Sequence, residues 1–154
     1  MQGNPDVIAA LNVVYQNLES TEEQSHLQEH AFECQGWDSS KWWDCIENKI
    51  HVKCIHPVLN RINELGGRVT PGDAFDVVYY PDDFQGAMRE TLDCLTKCRD
   101  AYGVACEAAE SDDDYVTEEM IEDHVTWIEK QIVKFEGRLL RYSKLGSVVM
   151  TGEF

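Results

Sequence analysis

"RVTPGDAFDVVYYPDD", residues 68–83, lies between two halves of the chain that each read as helical. It carries Pro71 and Pro81 and no three-to-four periodicity, so it reads as a long link. About fifteen extended residues reach roughly 50 Å. A helix of about 28 residues is roughly 42 Å long. The link can therefore run the length of a helical bundle, which leaves the helices before and after it parallel.

Four long helices are expected around this link. The first spans roughly residues 4–34, with Asn4 as N-cap and Pro5 in the first turn, where a missing N–H costs nothing. Val7, Leu11, Val14, Leu18 and Phe32 recur at helical spacing on one face. Between Leu18 and Phe32 that face turns polar, with Glu22, Ser25 and Glu29. The second helix runs from about Ser39 to Leu65, capped by Asp38 or Ser39. Its stripe is Trp43, Ile46, Ile50, Cys54, Val58, Ile62 and Leu65, and Gly66-Gly67 stops it. Pro57 frees the carbonyl of Lys53, so we read a kinked helix. The alternative is one helix ending near Ile55 and another beginning at Pro57. The third helix runs from about Asp83 to Glu110, with Met88, Leu92, Leu95, Tyr102 and Ala105 inward. The fourth runs from about Tyr115 to Lys144, with Met120, Ile121, His124, Trp127, Ile128, Gln131, Phe135 and Leu139 inward. Short links make helices one–two and three–four antiparallel hairpins.

Two hairpins joined by one long crossover is the ferritin-like arrangement. The expected fold is an all-α, ferritin-like four-helix bundle over residues 1–146, with a long crossover between helices 2 and 3 and a tail over 147–154. The net charge of −16 excludes phosphate-rich nucleic acid and anionic membrane surfaces as natural partners. It favours cations. No window is apolar enough for a membrane span. The N-terminal stretch has no basic n-region and no cleavage-like site, so a cytoplasmic protein is expected. The six cysteines, Cys34, Cys45, Cys54, Cys94, Cys98 and Cys106, are then expected as thiols. No C-x-x-C pair, catalytic triad or phosphate loop occurs.

The chemistry-bearing stretch is "ENKIHVKCIHPVL", residues 47–59. On a regular helix Glu47, His51 and Cys54 would stack on one face at i, i+4 and i+7. Glu22 of the first helix and His124 of the fourth could join them. This is a mixed N, S and O set that suits zinc or copper. Cys94 and Cys98, one turn apart, are a second soft pair. The opposing reading is that these residues only pack and hydrogen-bond within a bundle. Trp42 and Trp43 fit either a subunit contact or the core.

The segments "VIAALNVVYQNLESTEEQ", "NRINELGG" and "EEMIEDHVTWIEKQI" resemble bacterioferritins, and the helix end "RINELGG" is also similar to Dps-type mini-ferritins. The resemblance implies a subunit of a hollow cage that oxidises and stores iron. It implies a di-iron centre built from one Glu, a Glu-x-x-His, a second Glu and a second Glu-x-x-His on successive helices. Here the corresponding positions are Leu18, His51 and Cys54, Thr91, and Ile121 and His124, so only His124 matches. Val52 stands where the family has its haem methionine, so no haem is expected. The expected function is therefore a divergent bacterioferritin-like protein for iron storage or detoxification, with the ferroxidase ligands largely replaced. Whether it is a ferroxidase enzyme is left open. The alternative is a non-catalytic or zinc- or copper-binding bundle using a rebuilt metal site of Glu22, Glu47, His51, Cys54 and His124. Expected partners are metal cations and further copies in a homo-oligomer, a cage or dimer, with co-assembly with an active ferritin as a further option.

Overall fold

The structure is a computed structural model, and it describes residues 3–37, 41–80 and 82–145. The tail, and Asp38 and Ser39 as caps, lie outside the described residues. Five α-helices and one π-helix make four rods: α1 (Pro5–Glu33), α2 (Asp44–Glu47), the π-helix (His51–Ile55), α3 (His56–Glu64), α4 (Phe84–Ser111) and α5 (Tyr115–Leu145). α2, the π-helix and α3 together form the second rod. Among the described residues there is no strand, and no helix is long and apolar enough to cross a membrane.

The apolar stripes close one core. Val7, Leu11, Val14, Leu18 and Phe32 of α1 are buried, as are Trp43, Ile46, Ile50, Cys54, Val58 and Ile62 of the second rod. Met88, Leu95, Tyr102 and Ala105 of α4 and Ile121, Ile128 and Phe135 of α5 complete it. Asn4 caps α1, its side chain accepting from the Asp6 N–H at 2.8 Å. Trp42 and Trp43 are core residues here. They meet Phe32, Phe84 and Phe135 at ring distances of 5.5 to 6.3 Å, stacked on Phe32, edge-on to Phe84 and tilted to Phe135.

The second rod departs from the continuous kinked helix expected from the sequence. It breaks at Asn48–Lys49 and then winds as a π-helix up to the residue before α3. The His56 N–H donates to the His51 carbonyl, five residues back. Pro57 is the physical cause. It has no N–H and crowds the carbonyl four residues earlier, and a wider turn just before it absorbs the misfit. Pro57 then occupies the first turn of α3, where it is tolerated.

The link over 66–83 is held to α1 by a ladder of side-chain amides. The Asn12 amide donates to the Arg68 carbonyl at 2.9 Å and its carbonyl accepts from Thr70 N–H at 2.7 Å. Ser20 accepts from Ala74 N–H at 3.1 Å. Gln24 binds both the N–H and the carbonyl of Val78, at 2.8 and 2.6 Å. Gln28 does the same for Tyr80, at 2.9 and 3.2 Å. The buried amides thus satisfy a backbone that has no sheet or helix partner. Their order shows that the link ascends in the same direction as α1. The second rod starts with Trp43 against Phe84 and ends where the Leu65 carbonyl accepts from Gly3 N–H at 2.6 Å. It is therefore parallel to α4. α5 returns antiparallel to α4, with Asp114 and Thr117 at one end binding Arg61 and Tyr142 at the other meeting Phe84.

Candidate metal site

The polar residues of α1 and the second rod form a groove on the flank of the bundle. Four side chains of α1, Glu19, Glu22, His26 and Glu29, follow one another at spacings of three, four and three residues, so they share one helix face. Asp44 and Glu47 of α2 and His51 of the π-helix answer them. Two sets of three ligand atoms each gather within 4.8 Å: Glu19, Glu22 and His51 in one, Glu29, Asp44 and Glu47 in the other. A groove of about 590 Å³ opens beside them, lined by Glu19 and Glu22 of the first set, Glu47 of the second, His26 and, from the link, Asp73.

The charges of the groove are strongly coupled. His26 Nδ1 lies 2.6 Å from Glu47 Oε1, and His51 Nδ1 lies 3.9 Å from Glu22 Oε2. Burial, a hydrogen bond with Glu47 and that carboxylate's charge push Glu29 up to about 8. Glu47 is held below the usual carboxylate range by the hydrogen bond from Glu29, against an opposing push from burial, and His26 adds to the lowering. The two carboxyls hold one proton between them, carried by Glu29. Burial, and then Glu19, push Glu22 up, while His51 pulls it back. The Oε2 atom of Glu29 is buried and has no hydrogen-bond partner. Crowded carboxylates that share a proton and leave an oxygen unpaired are costly without a cation.

Glu22 and Glu47 therefore line this groove and His51 pairs with Glu22, while Cys54 and His124 are buried in the bundle. On a regular α-helix Glu47, His51 and Cys54 would share a face. In the structure, with its turn at Asn48–Lys49 and its π turn, His51 is exposed, whereas Cys54 stays on the buried stripe with Ile46, Ile50 and Val58.

Inside, one residue from nearly every rod converges. Thr21 Oγ1 and Cys98 Sγ are 3.1 Å apart. Tyr102 Oη lies 2.7 Å from His124 Nδ1, and Tyr102 also shares a hydrogen bond with Cys54. Burial pushes the Cys54 and Cys98 thiols up to about 12 and His124 down to about 4. Burial thus keeps the thiols protonated and the imidazole neutral. A di-iron carboxylate set does not fit this interior, because bridging carboxylates are missing and the thiols are not thiolates. Thr91, at the third-helix position, is occupied elsewhere, accepting from Trp43 Nε1 at 2.6 Å. Among the described residues no three-ligand group includes Cys54 or His124.

Sequence reasoning missed Glu19, His26 and Asp44, and read Glu29 only as part of a polar face. The spacing of Glu19, Glu22, His26 and Glu29 was the available signal. A third group, Cys106, Glu110 and Glu118, lies where α4 and α5 meet. It offers one thiol, pushed up by burial and by Glu110. No protein-family model matches the chain, and no curated protein is similar to it.

Proposed function

We propose that this protein is a ferritin-like bundle that captures divalent metal cations, ferrous iron before zinc, in the groove between α1 and the second rod. The observation that carries this reading is the pair of three-ligand sets formed between α1 and the second rod. Five carboxylates and two imidazoles form a hard-to-borderline donor set, which favours Fe²⁺ over copper(I) and accepts zinc. The thiols that copper would use lie elsewhere. A net charge of −16 concentrates cations at the surface. The crossover topology supports the ferritin-like reading, and iron storage or detoxification is the role this gives the groove. In this reading the interior is a packed core, and co-assembly with an active ferritin would supply oxidation.

The test is anaerobic Fe²⁺ and Zn²⁺ titration with native mass spectrometry, on the wild type and on a Glu22→Gln/Glu47→Gln/His51→Ala variant. Stoichiometric binding lost in the variant supports the proposal. Binding that survives in the variant, or none in the wild type, overturns it. The native mass also reads the assembly, as a cage, a dimer or a single 17.6 kDa chain.

A further inference from the structure

The seam between α4 and α5 holds two hollows, of about 570 and 430 Å³, that share Val125 and Thr126. The metal groove takes no residue from these two helices. Gly103 of α4 lines the first hollow and Val133 of α5 the second. Val133, Gly137 and Leu140 follow at spacings of four and three, so they share one face of α5. Val133 is 67% exposed and Leu140 57%. Both glycines stand inside long helices, where glycine costs about 0.5–1 kcal/mol against alanine. A Cβ at either would meet nothing within 4 Å, so no contact within the chain calls for them. Small residues beside exposed apolar ones leave room for another helix to approach, and an apolar stripe rimmed by charge marks an interaction surface.

The charges along this face say what covers it. Before its middle, α5 exposes Glu119 and Glu122; after it, Lys130 and Lys134. Their neighbours Asp123 and Glu129 are already paired, with Lys53 and Arg99. Glu136 and Arg141, further along, offset each other. The helix dipole does not account for this order. Its influence falls off within the first and last turns, and Glu122, Lys130 and Lys134 lie beyond those turns of Tyr115–Leu145. A helix whose two halves carry opposite charge is complementary to an antiparallel copy of itself. Each acidic half then meets a basic half, and the contact occurs twice about one twofold axis. A parallel copy would set like charge against like. The chain as a whole, at −16, repels its copies, and this face is where the repulsion turns to attraction.

We infer that a second copy of this chain docks on the α4–α5 seam. The two α5 helices run antiparallel about a twofold axis, with their apolar stripes covered and the Glu119–Glu122 half of each on the Lys130–Lys134 half of the other. A stripe of this length is at the small end of stable interfaces, about 1,200 Å² in total, so the dimer is reversible and concentration-dependent. The inference goes beyond the metal reading and does not depend on it.

The test is sedimentation of the metal-free chain over a range of concentrations, at low and high salt. The variants are Lys130→Glu/Lys134→Glu, Glu119→Lys/Glu122→Lys and Val133→Asp. Every substituted position is exposed, so each variant is expected to keep the helical circular dichroism of the wild type. The wild type is expected to approach twice the 17.6 kDa chain mass and to dissociate more readily in high salt. Each variant alone is expected to weaken the dimer by about tenfold or more. An equimolar mixture of the two charge reversals is expected to dimerise again, because halves of opposite sign then meet. Glu119→Lys/Glu122→Lys separates the contact from general repulsion. It lowers the net negative charge, so chains held apart only by charge would associate more, whereas the inferred contact makes them associate less. A wild type that stays monomeric overturns the inference. So does an assembly that either charge reversal or Val133→Asp leaves intact, or a mixture that stays monomeric.

Discussion

Metal capture in the groove must expel the proton held between Glu29 and Glu47, and its release is countable. With Glu29 pushed up to about 8, roughly nine in ten chains carry the proton at pH 7, half at pH 8 and about one in ten at pH 9. A cation bound to Glu29, Asp44 and Glu47 takes the proton's place, so binding releases about 0.9 proton at pH 7. The apparent dissociation constant then rises about tenfold for each pH unit below 8. The assay is zinc calorimetry in buffers of different ionisation enthalpy, where the slope of measured against buffer enthalpy counts protons. Glu29→Gln keeps a donor for Glu47 and removes the titrating group. Its slope is expected to fall by about 0.9 at pH 7 relative to wild type, and the pH dependence of affinity is expected to flatten between 7 and 8. A slope unchanged by Glu29→Gln, while zinc still binds in the groove, refutes the reasoning.

The same carboxyl sets a stability window in the absence of metal. Its folded value lies above the ordinary 4.5, so its contribution is full below about 4.5 and is lost as pH rises through about 8. Thermal melts of Glu29→Gln are expected to gain on wild type progressively from pH 5 to pH 8. Gln24→Leu and Gln28→Leu each strip two hydrogen bonds from the link backbone. Each is expected to cost about 2 kcal/mol in urea denaturation and to deprotect Val78 or Tyr80 in hydrogen exchange. Tyr102→Phe leaves His124 Nδ1 and Cys54 without their shared partner. About 1–3 kcal/mol is expected to be lost, read by calorimetric unfolding. Asp114→Asn removes the carboxylate that binds Arg61 at 2.9 Å and Thr117 at 2.5 Å. Burial raises this carboxyl, but the Thr117 hydrogen bonds and Arg61 bring it below the usual range. Its stabilisation is therefore present above that range and lost in acid, and the difference between wild type and Asp114→Asn is expected to shrink below pH 4.

The periodicity of the chain determined four rods and their buried faces, because burial of one stripe per helix is a local pattern written at fixed spacing. Val7 to Phe32 and Trp43 to Ile62 are inward in the structure as their spacing predicts. The length of residues 68–83 allowed rods two and three to lie parallel, since an extended link of that reach spans the bundle whereas a short one makes a hairpin. The site was legible only in part. Glu22, Glu47 and His51 fall in candidate ligand groups of the structure, whereas Cys54 and His124, grouped with them from the sequence on the assumption of a uniform helical phase, do not. Pro57 announced a disturbance without saying where it would be absorbed. The tertiary structure placed it upstream, in a π turn, and there His51 faces outward while Cys54 keeps its place on the buried stripe. The ladder of the Asn12, Gln24 and Gln28 amides and the Ser20 hydroxyl was equally invisible in the sequence, because its partners are backbone groups some 50 residues away. Spacing along one helix decides which side chains share a face; only packing decides which element that face meets.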